Sequence, residues 1–297
     1  MGQATAALKM NMAIAMLRIM FWNLLIMKTF YHIFCDIISL KERTEDMVLS
    51  SPPKIFGAFH IGWLIAILTF NVLIYHLLKN KSQDKLIKVL HNLGIIMIIG
   101  EVWKQYYFFA VINQGSISLW FFPWQLCSMA MYLSFLLPFL KGRVQEAALV
   151  FLATFSLFAA LIALLIPSDM LRPQLLFASH GFIYHGLMIA ESILAILIIK
   201  KRKDLKFLPS LIMFLIMALI AEIINILSYA ILKDIYIAPN MFYITPYYET
   251  TQVGLNLIAW KLGILPEIII YLGGIILFSY LIFRLIIRFS GQSQDRS

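Results

Sequence analysis

The chain has 297 residues, 62% of them hydrophobic and 13% charged, with a mean hydropathy of +0.87. A soluble domain is nearer half apolar and a quarter charged, and one of this length leaves too much surface exposed to hide so many apolar side chains. The net charge of +9 lies in short clusters between long apolar runs, the pattern of loops that flank membrane helices; membrane lipids are the expected partners, and nucleic acid is not. The only cysteines, Cys35 and Cys127, sit in different apolar segments, which argues against a disulfide framework or a Cys-type zinc site. No cofactor or metal is expected.

In chain order, residues 8–40 read as an extra apolar helix that lies at the interface or spans imperfectly, interrupted by Arg18 and closed by the charged stretch Lys41–Asp46. No small-residue cleavage site follows that would make a signal peptide. Runs long enough to cross a bilayer as helices follow at 55–78, 88–113, 118–140, 145–166, 175–199, 207–232 and 264–288. They are about twice the length of a barrel strand and do not alternate. The fold class is therefore all-α: a polytopic transmembrane bundle of about seven core spans over residues 51–290. An N-terminal unit, 1–50, precedes it and a polar tail, 291–297, follows. No lysine lies within 264–288, so a retinal protein, which needs one there for its Schiff base, is excluded, and no internal repeat is visible.

Lysine and arginine set the orientation. Fourteen fall in one set of loops and ends, among them Lys79, Lys81, Lys141, Arg143, Lys200, Lys201, Arg202, Arg284 and Arg288. Only Arg172, Lys233 and Lys261 fall in the alternate loops. The rich set is assigned to the cytoplasm, which makes this a multi-pass cell-membrane protein with a cytoplasmic C-terminus. Tyr106–Phe109, Trp120–Trp124 and Phe242–Tyr248 are then rich in aromatics for the outer interface.

Ionisable side chains inside a membrane are costly and usually functional or paired. Counting ~1.5 Å of rise per residue, Cys127 lies ~14 Å below the outer end of its run, His185 and Glu222 ~15 Å and Glu101 ~18 Å, with His60 and His180 at ~8 Å. A shared pocket opening outward is the economical reading. Each member also has a plainer one. Cys127 could be a small buried hydrophobe, and becomes a nucleophile only with a base nearby. His185 could hydrogen-bond across helices, and Gln125 and Ser128 could be interhelical glue. Glu101 and Lys104, three apart, could neutralise each other. His180 and His185 are five apart and do not form a metal pair. Glu191 and Glu267 have no evident partner. His32, Cys35 and Asp36 form a second Cys-His grouping within the N-terminal segment.

Phe59-His60 in the first core helix, a Glu in the second, Pro123-x-x-x-Cys127 opening the third and a Phe-x-x-His-Gly pattern in the fifth resemble the YwaF-type bacterial integral membrane proteins. Pro239-Asn240-Met241-Phe242-Tyr243, followed by Pro246, is similar to that family's segment before the last helix. Those proteins look related to an animal transmembrane acyltransferase acting on ether phospholipids and, more distantly, to androgen-induced membrane hydrolases of fatty acid esters. The resemblance implies an intramembrane nucleophile paired with histidine, here Cys127 with His185 or His180, and a phospholipid or acyl-ester substrate. The chain departs from the family pattern at Gln125, where the bacterial proteins carry His. Relative to the animal enzyme, whose Cys directly follows the Pro, Cys127 lies one turn later.

The expected chemistry is acyl transfer or ester hydrolysis on a lipid, with Glu101 orienting the imidazole and Gln125 or Ser128 donating to the oxyanion. His60, Glu222 and Asn240 would complete the substrate-binding set. The alternative is a non-enzymatic transporter or lipid-binding protein in which His60, Glu101, His185 and Glu222 form a relay and the thiol is not needed.

Overall fold

The computed structural model describes residues 48–291 apart from 116–118, 120–121, 203–204, 233–238, 248–249, 251 and 253. The N-terminal apolar segment, with His32, Cys35 and Asp36, lies outside the described residues. Among those residues the fold is helical and contains no strand; Val48 and Gln174 form one isolated bridge.

Six helical stretches are long and apolar enough to cross a membrane. They comprise α1 (Ala58–Leu78), α2 (Gln83–Tyr107, prolonged by a π-helical turn, Phe108–Ile112), α4 and α5 (Gly142–Phe151 and Leu157–Leu165, joined through a π-helical turn, Leu152–Ser156), α6 (Leu175–Ile199), α7 (Leu208–Leu232) and α9 (Ile264–Gly291). Between α2 and α4 stands a shorter element, α3 (Ser128–Leu136), which ends in a 3-10 turn, Leu137–Phe139. A one-turn 3-10 element, Met241–Tyr243, and α8 (Leu255–Leu262) fill the connection before α9.

The run 118–140, expected as one full span, is helical only from Ser128. Pro123 supplies no amide hydrogen and restricts the residue before it. The chain enters α3 through tight turns in which Ser128 N donates to Gln125 O and Met129 N to Leu126 O. The structure thus has six long spans and one apolar half-length helix. The connection 233–262, expected as loop, contains α8, bounded by Gly254 (φ +88°) and Gly263 (φ +94°), conformations that glycine adopts without steric cost.

α6 is the axis of the bundle. Two thirds of its most apolar window is buried, as is that of the α4–α5 stretch, against 11% for α1 and 17% for α9, so the last two present most of their surface to lipid. α6 packs on α1, α2, α3, α4 and α5. Phe155, on the π-helical turn, stacks on Phe214 of α7 (ring centroids 4.7 Å apart) and on Phe207 (5.5 Å) and fills the lower core.

Two glycines allow the close helix contacts. A Cβ on Gly94 would stand 2.5 Å from Phe135 N and 3.0 Å from Met131 O, so α2 crosses α3 backbone to backbone. A Cβ on Gly186 would meet Ile67 Cγ1 at 3.0 Å; beside it Asn71 Nδ2 donates to Gly186 O (3.1 Å) and Ile67 O (2.9 Å), locking α1 to α6. Small residues at such crossings are how membrane helices gain contact where lipid supplies no hydrophobic drive.

Gly94→Ala should therefore lower the thermal unfolding midpoint in detergent, losing about 1–3 kcal/mol through overpacking. Gly273→Ala on α9, where a Cβ meets nothing within 4 Å, should leave the midpoint unchanged or raise it. Equal midpoints for the two variants would refute the close α2–α3 crossing.

Candidate functional site

The crossing at Gly94 fixes what faces what. α2 and α3 run in opposite directions, so moving four to eight residues back along α3 from Met131 and Phe135 reaches Cys127. Moving six to ten residues forward along α2 from Gly94 reaches Gly100–Lys104. At ~1.5 Å per residue both steps cover ~6–15 Å toward the same end, bringing Cys127 level with the Glu101–Lys104 turn.

Cys127 is a free, half-buried thiol in the cap position of α3. Its carbonyl accepts the Tyr184 hydroxyl of α6 at 3.5 Å. Its side chain interacts electrostatically with Lys104, and the phenols of Tyr184, Tyr243 and Tyr271 interact with it in turn. These groups come from four structural elements.

Glu101 is buried, and its Oε1 accepts from both Lys104 Nζ and Gln105 Nε2, each at 2.7 Å. The expectation that Glu101 orients an imidazole is not what these bonds describe: its partners are the lysine and glutamine of its own helix. His180 lies against the same helix, its Nε2 3.3 Å from where a Gly100 Cβ would stand and its ring 5.4 Å from that of Trp103. His185 Nδ1 is 2.8 Å from Gly181 O. A carbonyl accepts only, so the Nδ1 proton points to it and Nε2 keeps its lone pair. Both histidines interact electrostatically with Lys104, and His180 with His185. Among the described residues no hydrogen bond joins the Cys127 thiol to either ring.

His60 is placed elsewhere. It is fully buried, its Nδ1 accepts from Phe56 N (3.0 Å) and its Nε2 donates to Leu164 O (2.9 Å), with Phe182 beside the ring. Both nitrogens are engaged in joining the start of α1 to the end of α5. Ser128 is buried as the first residue of α3.

Gln125, Asn240 and Glu222 belong to a second network. Gln125 Nε2 donates to Asn240 O (2.9 Å), and its Oε1 accepts from Phe242 N (2.8 Å). Asn225 of α7 repeats the pattern, accepting from Met241 N (2.6 Å) and donating to Met241 O (3.1 Å) and to Glu222 Oε2 (3.2 Å). Asn240 Oδ1 accepts from Thr245 N (3.0 Å). Two carboxamides thereby clamp a buried non-helical segment in which Phe242 and Tyr243 hold positive φ of 56° and 57°. The Tyr243 hydroxyl, outside the spans, donates to Asp169 Oδ2 (3.0 Å). Burial, with the Asp169 carboxylate adding to it, holds this phenol well above its ordinary range and keeps the donor protonated.

Sequence reading missed Lys104 as a member of the site, Asn225 as the second clamp, and the phenols of Tyr184 and Tyr271. The Glu101–Lys104 spacing was the visible signal for the first; nothing local marks the others. Among the described residues no cluster of three or more His, Cys, Asp or Glu side chains is placed to hold a metal ion.

These features define a polytopic helical membrane protein. The chain belongs to the TMEM164 family, whose model matches residues 55–279. No curated protein and no solved structure matches it.

If the clamp holds the segment, Asn225→Ala should cost about 1–3 kcal/mol by leaving Met241 N–H and C=O unsatisfied in the interior. Amide exchange over 239–247 should rise while exchange in α6 stays slow. Unchanged exchange at Met241 and Phe242 would refute the clamp.

Proposed function

We propose that this protein transfers or hydrolyses acyl groups of membrane lipids, with Cys127 as nucleophile and His185 as general base. The observation that carries the reading is the set tautomer of His185. With Nδ1–H held on Gly181 O, Nε2 is the free basic atom in the cluster that contains the half-buried thiol. The resemblance of the Pro123-x-x-x-Cys127 and His-Gly motifs to YwaF-type proteins and their acyl-transferring relatives supports the same assignment.

In the proposed reaction His185 Nε2 takes the thiol proton, and the thiolate attacks the ester carbonyl. The tetrahedral oxyanion collapses to a thioester as the alkoxide leaves with the proton from His185. A lyso-lipid hydroxyl or water, deprotonated by the same nitrogen, then attacks the thioester and returns Cys127 to the thiol. Gln125, whose carboxamide is engaged at both ends, serves the fold of the 239–247 segment instead of the oxyanion. Ser128 and the phenols around the thiol are the remaining donors. His180, against Gly100, is the second candidate base.

The orientation belongs to the same proposal. Lys201 Nζ donates to Lys81 O (3.1 Å) and Arg202 Nη2 to Gln145 Oε1 (3.0 Å), so three of the basic connections meet at one end. The positive-inside rule assigns that end to the cytoplasm, leaving the Tyr243–Asp169 end outside.

In proteoliposomes with a phospholipid acyl donor and a lysophospholipid acceptor, Cys127→Ala should abolish transfer. His185→Gln should lower it by roughly 10²–10⁴-fold, while His60→Gln should reduce stability and leave the turnover of folded protein near wild type. Full transfer by Cys127→Ala would remove Cys127 as the nucleophile, and no transfer by the wild-type protein would sink the reading in favour of a transport or lipid-binding role.

A further inference from the structure

A thiol in apolar surroundings is a poor nucleophile unless a base or a cation serves it. The groups that interact with Cys127 are, element by element, Lys104 from α2, Tyr184 from α6, Tyr243 from the clamped segment and Tyr271 from α9. Three of these are phenols. Among the described residues Lys104 is the member of this set with a formal charge.

Geometry puts it at the depth of the thiol. The backbone contact at Gly94 sets the register of α2 on α3 and brings residues 100–104 level with Cys127. The Glu101 carboxylate then holds Nζ at 2.7 Å, with the lysine side chain 17% exposed and that of the glutamate 6%. An ammonium has three protons, and Glu101 takes one, so two are left for other acceptors. Because Glu101 Oε1 also accepts from Gln105, the carboxylate is shared between two donors and is a tether of Lys104 more than its full counter-ion. A cation in a low-dielectric setting acts over several ångströms far more strongly than one in water.

We propose that Lys104, tethered by Glu101, stabilises the negative charge that forms on Cys127. It is a positioning residue that acts through the thiol and helps His185 draw the proton off. This rests on Cys127 being the nucleophile, but its test needs no lipid substrate.

The experiment is the rate of Cys127 alkylation by iodoacetamide across pH 6–9, on the full chain in detergent with Cys35→Ser as background. Lys104→Met should slow alkylation by at least ~10-fold at neutral pH, the effect of displacing the thiolate equilibrium by about one pH unit. Lys104→Arg, which keeps the charge, should stay within ~3-fold of the parent, and Glu101→Gln, which loosens the tether, should fall below it. Alkylation of Lys104→Met at the parent rate overturns the proposal. If Lys104→Met unfolds, the decision passes to Glu101→Gln, where a rate at or above the parent overturns it. Loss of acyl transfer with the Lys104 dependence intact would instead retire the catalytic reading alone.

Discussion

Two carboxamide side chains, Gln125 and Asn225, permit the rest of this architecture. A chain inside hydrocarbon must satisfy every backbone donor and acceptor from within the protein, which normally means unbroken helix. Here the backbone leaves helical form twice at buried positions, before α3 and at Asn240–Thr245. At the second break each carboxamide offers one donor and one acceptor and pairs with the main chain as a neighbouring strand would. Tyr132 and Trp124 secure the first break, the Tyr132 hydroxyl donating to Pro123 O at 2.9 Å and the Trp124 indole to Met217 O at 3.3 Å. With those bonds made, α3 can be short, and a short α3 starts at the thiol instead of carrying it mid-helix.

The placement matters chemically. A cysteine in the middle of a helix is hemmed in by the turns above and below, whereas one at a helix start is open on the side the chain has just left. Tyr243 of the clamped segment, Tyr271 of α9 and Lys104 of α2 are within electrostatic reach of Cys127, and the Tyr184 hydroxyl of α6 donates to its carbonyl. The positive φ of Phe242 and Tyr243, unusual for bulky side chains, is the conformational cost of bending the segment into that position, and the clamp offsets it.

The helices were legible in the sequence because long apolar runs have few alternatives in a bilayer, and the bounds of α6 and α7 came out nearly as the hydropathy places them. The third run was misleading for a definite reason. Hydropathy records only that 118–140 lies in an apolar setting; it does not register that Pro123 breaks the helix and that Tyr132 and Trp124 secure the break. α8 was missed because an eight-residue interfacial helix carries too little apolar length to stand out between Gly254 and Gly263. Within the site, depth counting grouped Cys127, Glu101, His185 and Glu222 in one layer and set His60 apart at a shallower level. It could not separate Glu222 from the others, because depth along the membrane normal says nothing about which helices are neighbours. His60 serves the α1–α5 junction and Glu222 the clamp.

Glu101 and Glu191 are both buried acidic side chains, but their surroundings differ. Glu101 has a cation one turn away on its own helix, with Lys104 Nζ at 2.7 Å. Glu191 is fully buried on α6 and faces the Ser134 hydroxyl of α3. A charge left unpaired in such a setting costs several kcal/mol, and among the described residues no ion pair serves Glu191 as Lys104 serves Glu101. Under the acyl-transfer reading proposed above, electrostatic help for a developing anion would therefore come from the Glu101–Lys104 turn and not from Glu191.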